Sequence, residues 1–132
     1  SIQNHIPEKD GILACLLISE LIAIEKRSLT QILQRITKSI GPFITSRINI
    51  PVDPNSKDSL VKMLGSGITH IGTTRVVESV TKDGFKFLLG NGEWVAFRAS
   101  GTEPVFRCYI EARSQANFNK LEKACKKLLS NF

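Results

Sequence analysis

The stretch Arg98-Ala99-Ser100-Gly101-Thr102-Glu103-Pro104-Val105-Phe106-Arg107 crowds two guanidinium groups, two hydroxyls and a turn glycine into one short segment, and nothing else in the chain does so. Such residues suit the binding of an anion. Gly101 can take a positive φ and let backbone N–H groups converge, with the hydroxyls of Ser100 and Thr102 on either side. Arg98 and Arg107 can then close on the oxygens through planar, charge-assisted, often bidentate hydrogen bonds. The same residues also fit a plain strand connection, because Ser-Gly and Glu-Pro are ordinary turn signals and both arginines could simply face water. Composition by itself leaves both readings open.

The elements that would hold this segment are read from the periodicity around it. From Thr69 onward the pattern has strand period: 73–81 is rich in Val and Thr, Lys82-Asp83-Gly84 makes a turn, and Phe85–Leu89 answers it. Asp-Gly between such runs is a strong hairpin signal. Gly90-Asn91-Gly92 then leads to a strand at 94–98, and the segment turns the chain into another at 105–113. These consecutive antiparallel strands put Ser100 to Thr102 at one end of a sheet. In the last of them Phe106, Cys108, Ile110 and Ala112 alternate with Arg107, Tyr109, Glu111 and Arg113, so the first set is expected to face the helices. Trp94 is expected to pack beside Asn91-Gly92 rather than to serve as an aromatic binding platform. Ser114 should cap a final helix whose apolar face is Phe118, Leu121, Cys125, Leu128 and Leu129.

Upstream, Asp10 caps a helix with Ile12, Leu13, Leu16, Leu17 and Leu21, broad enough in its apolar face to be buried on more than one side. Ser28 opens a second helix with a clean stripe at Leu29, Ile32, Leu33, Ile36 and Ile40, and Gly41-Pro42 ends it. A strand at 43–52 and a short helix at 58–64 precede the sheet. The expected class is α+β: one antiparallel sheet packed against two helices, preceded by two further helices. The boundary falls near Gly41, giving a helical segment 1–41 and a second domain 42–132.

The chain has 132 residues, enough for one buried core. Its longest apolar run, 12–24, is broken by Ser19 and Glu20 and is too short to span a bilayer, and nothing at the start marks export. Three cysteines, Cys15, Cys108 and Cys125, show no metal-like spacing and read as reduced apolar fillers in a cytoplasmic protein. The net charge of +6 owes much to Lys120, Lys123, Lys126 and Lys127 on one helix, for which a solvated face is the ordinary reading. No aromatic stripe accompanies these lysines, as single-strand binding would favour.

The order Arg-x-Ser-Gly-Thr-Glu-Pro, with an arginine in the next strand and then Tyr109-Ile110-Glu111-Ala112, resembles the C-terminal phosphate-binding loop of the α-D-phosphohexomutases, the superfamily of phosphoglucomutases and phosphomannomutases. The resemblance implies that Arg98, Ser100, Gly101 and Thr102 grip the non-reacting phosphate of a sugar phosphate, with Arg107 supporting them. It also implies a fold similar to the TATA-binding protein. The segment His5-Ile6-Pro7-Glu8-Lys9-Asp10-Gly11 and the helix after it resemble the end of the third domain of glucose-type members, which would place 1–41 there and make 42–132 the C-terminal phosphate-binding domain. Lys9 would lie in the cleft as a phosphate contact or an acid/base group, with His5 nearby.

The activity implied by the resemblance is that of an isomerase interconverting hexose 1-phosphate and hexose 6-phosphate through a phosphoserine and a bisphosphate. The expected partners are hexose phosphates and the remaining domains of the same polypeptide, with no nucleic acid and no membrane. The Mg2+ of the family is expected on a domain absent here, because no Asp-x-Asp-x-Asp stretch occurs, and no metal is expected in this chain. Alone the fragment is expected to be inactive. Two other readings stay open: a phosphopentomutase of the same superfamily, and a basic nucleic-acid-binding module.

Overall fold

A computed structural model of the chain describes residues 10–130, and these divide into two compact units between Gly41 and Pro42. The first contains α1 (Gly11–Glu25) and α2 (Leu29–Ile40). Asp10 caps α1 by accepting from the Leu13 N–H at 2.8 Å, and Lys26 ends it in the left-handed region at φ 51°. Ser28 and Gln31 form a reciprocal capping box that starts α2. Arg35 joins the helices through a bidentate pair with Glu25, at 2.7 and 2.6 Å. That pair holds the Glu25 carboxyl below its ordinary value, mainly through the Arg35 hydrogen bond.

The expected burial of α1 on several sides is not met, since none of its residues is buried and Ile12 is 78% exposed. The reason lies in the distribution of its apolar residues. They run around the whole helix, so a single neighbouring helix covers only part of them. Cys15 is exposed on α1 and is not the apolar filler the sequence suggests.

The second unit is built on a six-stranded sheet of order β1-β6-β5-β4-β3-β2, antiparallel at each pairing. Its strands are β1 (Ile44–Pro51), β2 (His70–Ile71), β3 (Thr74–Val80), β4 (Phe85–Leu89), β5 (Trp94–Ala99) and β6 (Val105–Ala112). The expected meander of β3 to β6 is present; β2, too short to show a period, adds an edge. Gly84 turns β3 into β4 at φ 94°, and a Cβ there would lie 2.6 Å from the Phe97 carbonyl oxygen, so only glycine fits.

One face of the sheet is buried beneath α3 (Lys57–Gly65) and α4 (Gln115–Leu129). Phe87, Phe97, Phe106, Cys108 and Ile110 from the strands meet Leu60 and Leu64 from α3 and Phe118, Leu121, Cys125 and Leu129 from α4. Each fully buried Phe or Leu contributes about 1.5–3 kcal/mol, so this core carries the stability of the unit. Cys108 and Cys125 are free, buried thiols. The neighbouring Cys108 and burial together push the Cys125 thiol far up, which keeps it protonated and unreactive.

Glu93 is a buried carboxylate, 3% exposed, at the turn into β5. It accepts from the Arg113 N–H at 2.9 Å, from Asn117 Nδ2 at 2.9 Å and from Asn91 Nδ2 at 2.7 Å. Burial raises its pKa, but these hydrogen bonds outweigh it and hold the carboxyl below the ordinary range. The knot ties the β4–β5 turn to the end of β6 and the first turn of α4.

Candidate phosphate site

The alternation that sends Phe97 and Phe106 inward puts their neighbours Arg98 and Arg107 on the outer face of the sheet. The register places Arg98 directly opposite Arg107, and Arg107 opposite Asn49 of β1. Like charges facing each other across a strand pair are destabilising. The counter-ion supplied to Arg98 is Asp83 at 3.4 Å, a loose contact between two side chains 55% and 76% exposed. Surface pairs of this kind contribute little. The arrangement therefore retains a demand for negative charge beside the β5–β6 loop.

That loop is anchored at both ends. The Ser100 N–H donates to the Val105 carbonyl at 3.0 Å, and the Val52 N–H donates to the Pro104 carbonyl at 3.0 Å. The Lys57 ammonium, at the start of α3, donates to the Ser100 carbonyl. Ser100 is 1% exposed, yet its hydroxyl has no hydrogen-bond partner. Leaving a buried hydroxyl unpaired costs about 1–3 kcal/mol, which calls for an explanation in a ligand or an ordered water. Among the described residues, no backbone acceptor takes the N–H groups of Gly101, Thr102 and Glu103.

The structure thus sets Arg98 opposite Arg107, starts the loop at the buried Ser100 and leaves Gly101 and Thr102 exposed at the tip. One detail differs from the sequence reading. Gly101 does not adopt a positive φ, and a Cβ there would meet nothing within 4 Å, so the loop does not require glycine for its backbone shape. The Ser100 N–H is spent on Val105 and is not a free donor. His5 and Lys9 lie outside the described residues. Lys57 at the Ser100 carbonyl and Asn49 opposite Arg107 were missed, because their positions depend on the packing of α3 and on strand pairing, neither of which leaves a local pattern.

A cleft of about 270 Å3 continues from Arg98 along the outer face, past Ala96 and Tyr109 to Trp94 and Lys86. Trp94 lies here, half-buried, with its indole N–H donating to Glu111 at 2.8 Å and the Lys86 ammonium 4.2 Å from the ring centre. It packs on the outer face rather than in the core. A larger cavity of about 560 Å3 opens elsewhere, between the β2–β3 turn and α4, lined by Ile71, Leu121, Lys120, Lys123 and Lys127 with Glu93 behind them. Size does not decide between the two. The carboxylate in the larger cavity is already satisfied, whereas the β5–β6 loop holds the unpartnered hydroxyl and the opposed arginines.

The family model for the C-terminal domain of phosphoglucomutase/phosphomannomutase matches residues 48–128. The chain belongs to this family. The span includes both arginines, the loop and the core that positions them. A phosphoglucosamine/phosphogalactosamine mutase of Sulfurisphaera tokodaii is 28% identical over 125 residues, covering 95% of this chain and 26% of its own length. A phosphoglucomutase of Komagataeibacter xylinus is 29% identical over 135 residues, covering 93% and 24%. The chain therefore spans about a quarter of the length of these relatives. The crystal structure of parafusin, a phosphoglucomutase from Paramecium in its open form, superposes with a TM-score of 0.67 at 22% identity, over 96% of this chain and 28% of that one. This likeness establishes the phosphohexomutase domain fold. Among the described residues, no helix is long and apolar enough to cross a membrane, and no three His, Cys, Asp or Glu side chains converge as a metal site.

Proposed function

We propose that this phosphohexomutase domain grips the idle phosphate of a hexose phosphate while the rest of a longer enzyme moves the other one. The observation that carries the reading is the buried, unpartnered Ser100 hydroxyl in the loop that joins β5 to β6, two strands that hold Arg98 and Arg107 in register. Arg98 and Arg107 supply charge-assisted hydrogen bonds to the phosphate oxygens, and Ser100, Thr102 and the N–H groups of the loop tip complete the coordination. Lys9 is proposed to reach the same phosphate from the preceding segment, with His5 beside it.

In the whole enzyme, a phosphoserine gives its phosphoryl group to the free hydroxyl of a hexose phosphate, forming a bisphosphate. The sugar reverses, and the other phosphoryl group returns to the serine. Hexose 1-phosphate and hexose 6-phosphate are interconverted with no net change in phosphate. Mg2+, held by other parts of the enzyme, would neutralise charge on the transferring group. The site here must accept either phosphate in turn, and charge with hydrogen bonds serves that need better than a pocket shaped to one sugar. Because the serine and the metal lie on other domains in this reading, the chain alone has no mutase activity.

An amide NMR titration of the chain with inorganic phosphate and with glucose 1-phosphate tests the proposal. Shifts confined to 98–107, shared by both ligands and abolished in Arg98→Ala, are expected. Absence of shifts at millimolar ligand, or shifts centred on α4, would count against it.

A further inference from the structure

We propose that Lys57 is a positioning residue of the phosphate site, which by holding the Ser100 carbonyl fixes the direction of the Gly101 N–H. The inference rests on the reading of 98–107 as that site. In a trans peptide the carbonyl of one residue and the N–H of the next point in opposite directions. With the Ser100 carbonyl drawn to the ammonium at the start of α3, the Gly101 N–H must point away from α3, toward the exposed tip of the loop.

Among the described residues, no other hydrogen bond holds that peptide. Gly101 has no positive φ to enforce its orientation and no neighbour within 4 Å of a Cβ position, so nothing on the Gly101 side fixes the peptide between Ser100 and Gly101. The strand hydrogen bond from the Ser100 N–H to Val105 fixes only the preceding peptide. Lys57 is half-buried and spans from α3 to the loop, across 43 residues of sequence. Among the described residues it has no acidic partner. A carbonyl oxygen accepts its proton without neutralising its charge. Held at the Ser100 carbonyl, Lys57 keeps its charge and presets one N–H donor for an anion.

The test tracks the Gly101 amide and phosphate affinity in the full 132-residue chain. In Lys57→Met, inorganic phosphate is expected to bind about five- to tenfold more weakly, as loss of one preset donor and one nearby charge implies. The Gly101 resonance should broaden or split as the peptide samples two orientations. Lys57→Arg, which keeps charge and donor, should restore both. Melting temperature and the amides around Glu93 should stay as in the wild type, which separates positioning from support of the fold. If Lys57→Met does not fold, Lys57→Gln takes its place and should still disturb Gly101. Binding lost in Arg98→Ala but kept in the Lys57 variants, or weakened with the Gly101 signal unchanged, overturns the role of Lys57 alone. A wild-type chain that binds no phosphate overturns the site and Lys57 together.

Discussion

Glu93 and Arg98 show how differently two charged residues of one strand region can contribute. Glu93 satisfies three donors from three separate segments, so Glu93→Ala strands the Arg113 N–H and the amides of Asn91 and Asn117 and should cost about 3 kcal/mol, measured by denaturant unfolding. Its folded pKa lies below the ordinary value of 4.5. Its contribution is therefore complete above pH 4.5 and is lost as the pH falls through the lowered value. Stability curves of the wild type and Glu93→Gln should converge in acid, and parallel curves below pH 4.5 would contradict the assignment. Arg98→Ala should behave in the opposite way. It removes one of two opposed cations, so the melting temperature should hold or rise slightly, while phosphate affinity falls about tenfold or more with the loss of a charge-assisted bond. An arginine that costs stability and supplies binding is what a functional residue looks like in a melting experiment.

At the scale of elements, the hairpin joining β3 to β4 is the most sharply specified. Gly84→Ala forces a Cβ against the Phe97 carbonyl at a positive φ, and thermal unfolding should show a loss of about 1–3 kcal/mol. Asp83-Gly84 was legible in the sequence because turn chemistry is local. The inward set of β6 was legible because alternation is a property of the strand itself. Other features were not. β2 has too few residues to show a period, and the pairing of β1 with β6 joins distant segments. The exposure of α1 and Cys15 depends on what covers the helix, which no helical period encodes. For the candidate site, the order of residues 98–107 singled out the arginines and Ser100. Its geometry was not legible, because a positive φ at Gly101 is one option for glycine and tertiary contacts selected another. Lys57 is invisible in any local reading, since an isolated lysine opening a short helix usually faces water.

Across the whole molecule, burial is unevenly shared. The unit 42–132 holds a continuous core, whereas α1 has no buried residue and α2 buries Ile32. Amide hydrogens in 11–40 should therefore exchange at least about tenfold faster than those of β4, β5 and β6, and uniform protection across both units would show that the first is better covered than its side chains indicate. The three cysteines are distributed along the same line, with Cys15 open to solvent and Cys108 and Cys125 sealed between β6 and α4. A thiol-alkylating reagent would thus mark the native chain once, at a natural handle for a fluorophore or a surface tether remote in sequence from the β5–β6 loop. The second and third marks would appear only in molecules whose core has opened, so counting adducts by mass turns the cysteines into a built-in gauge of folding.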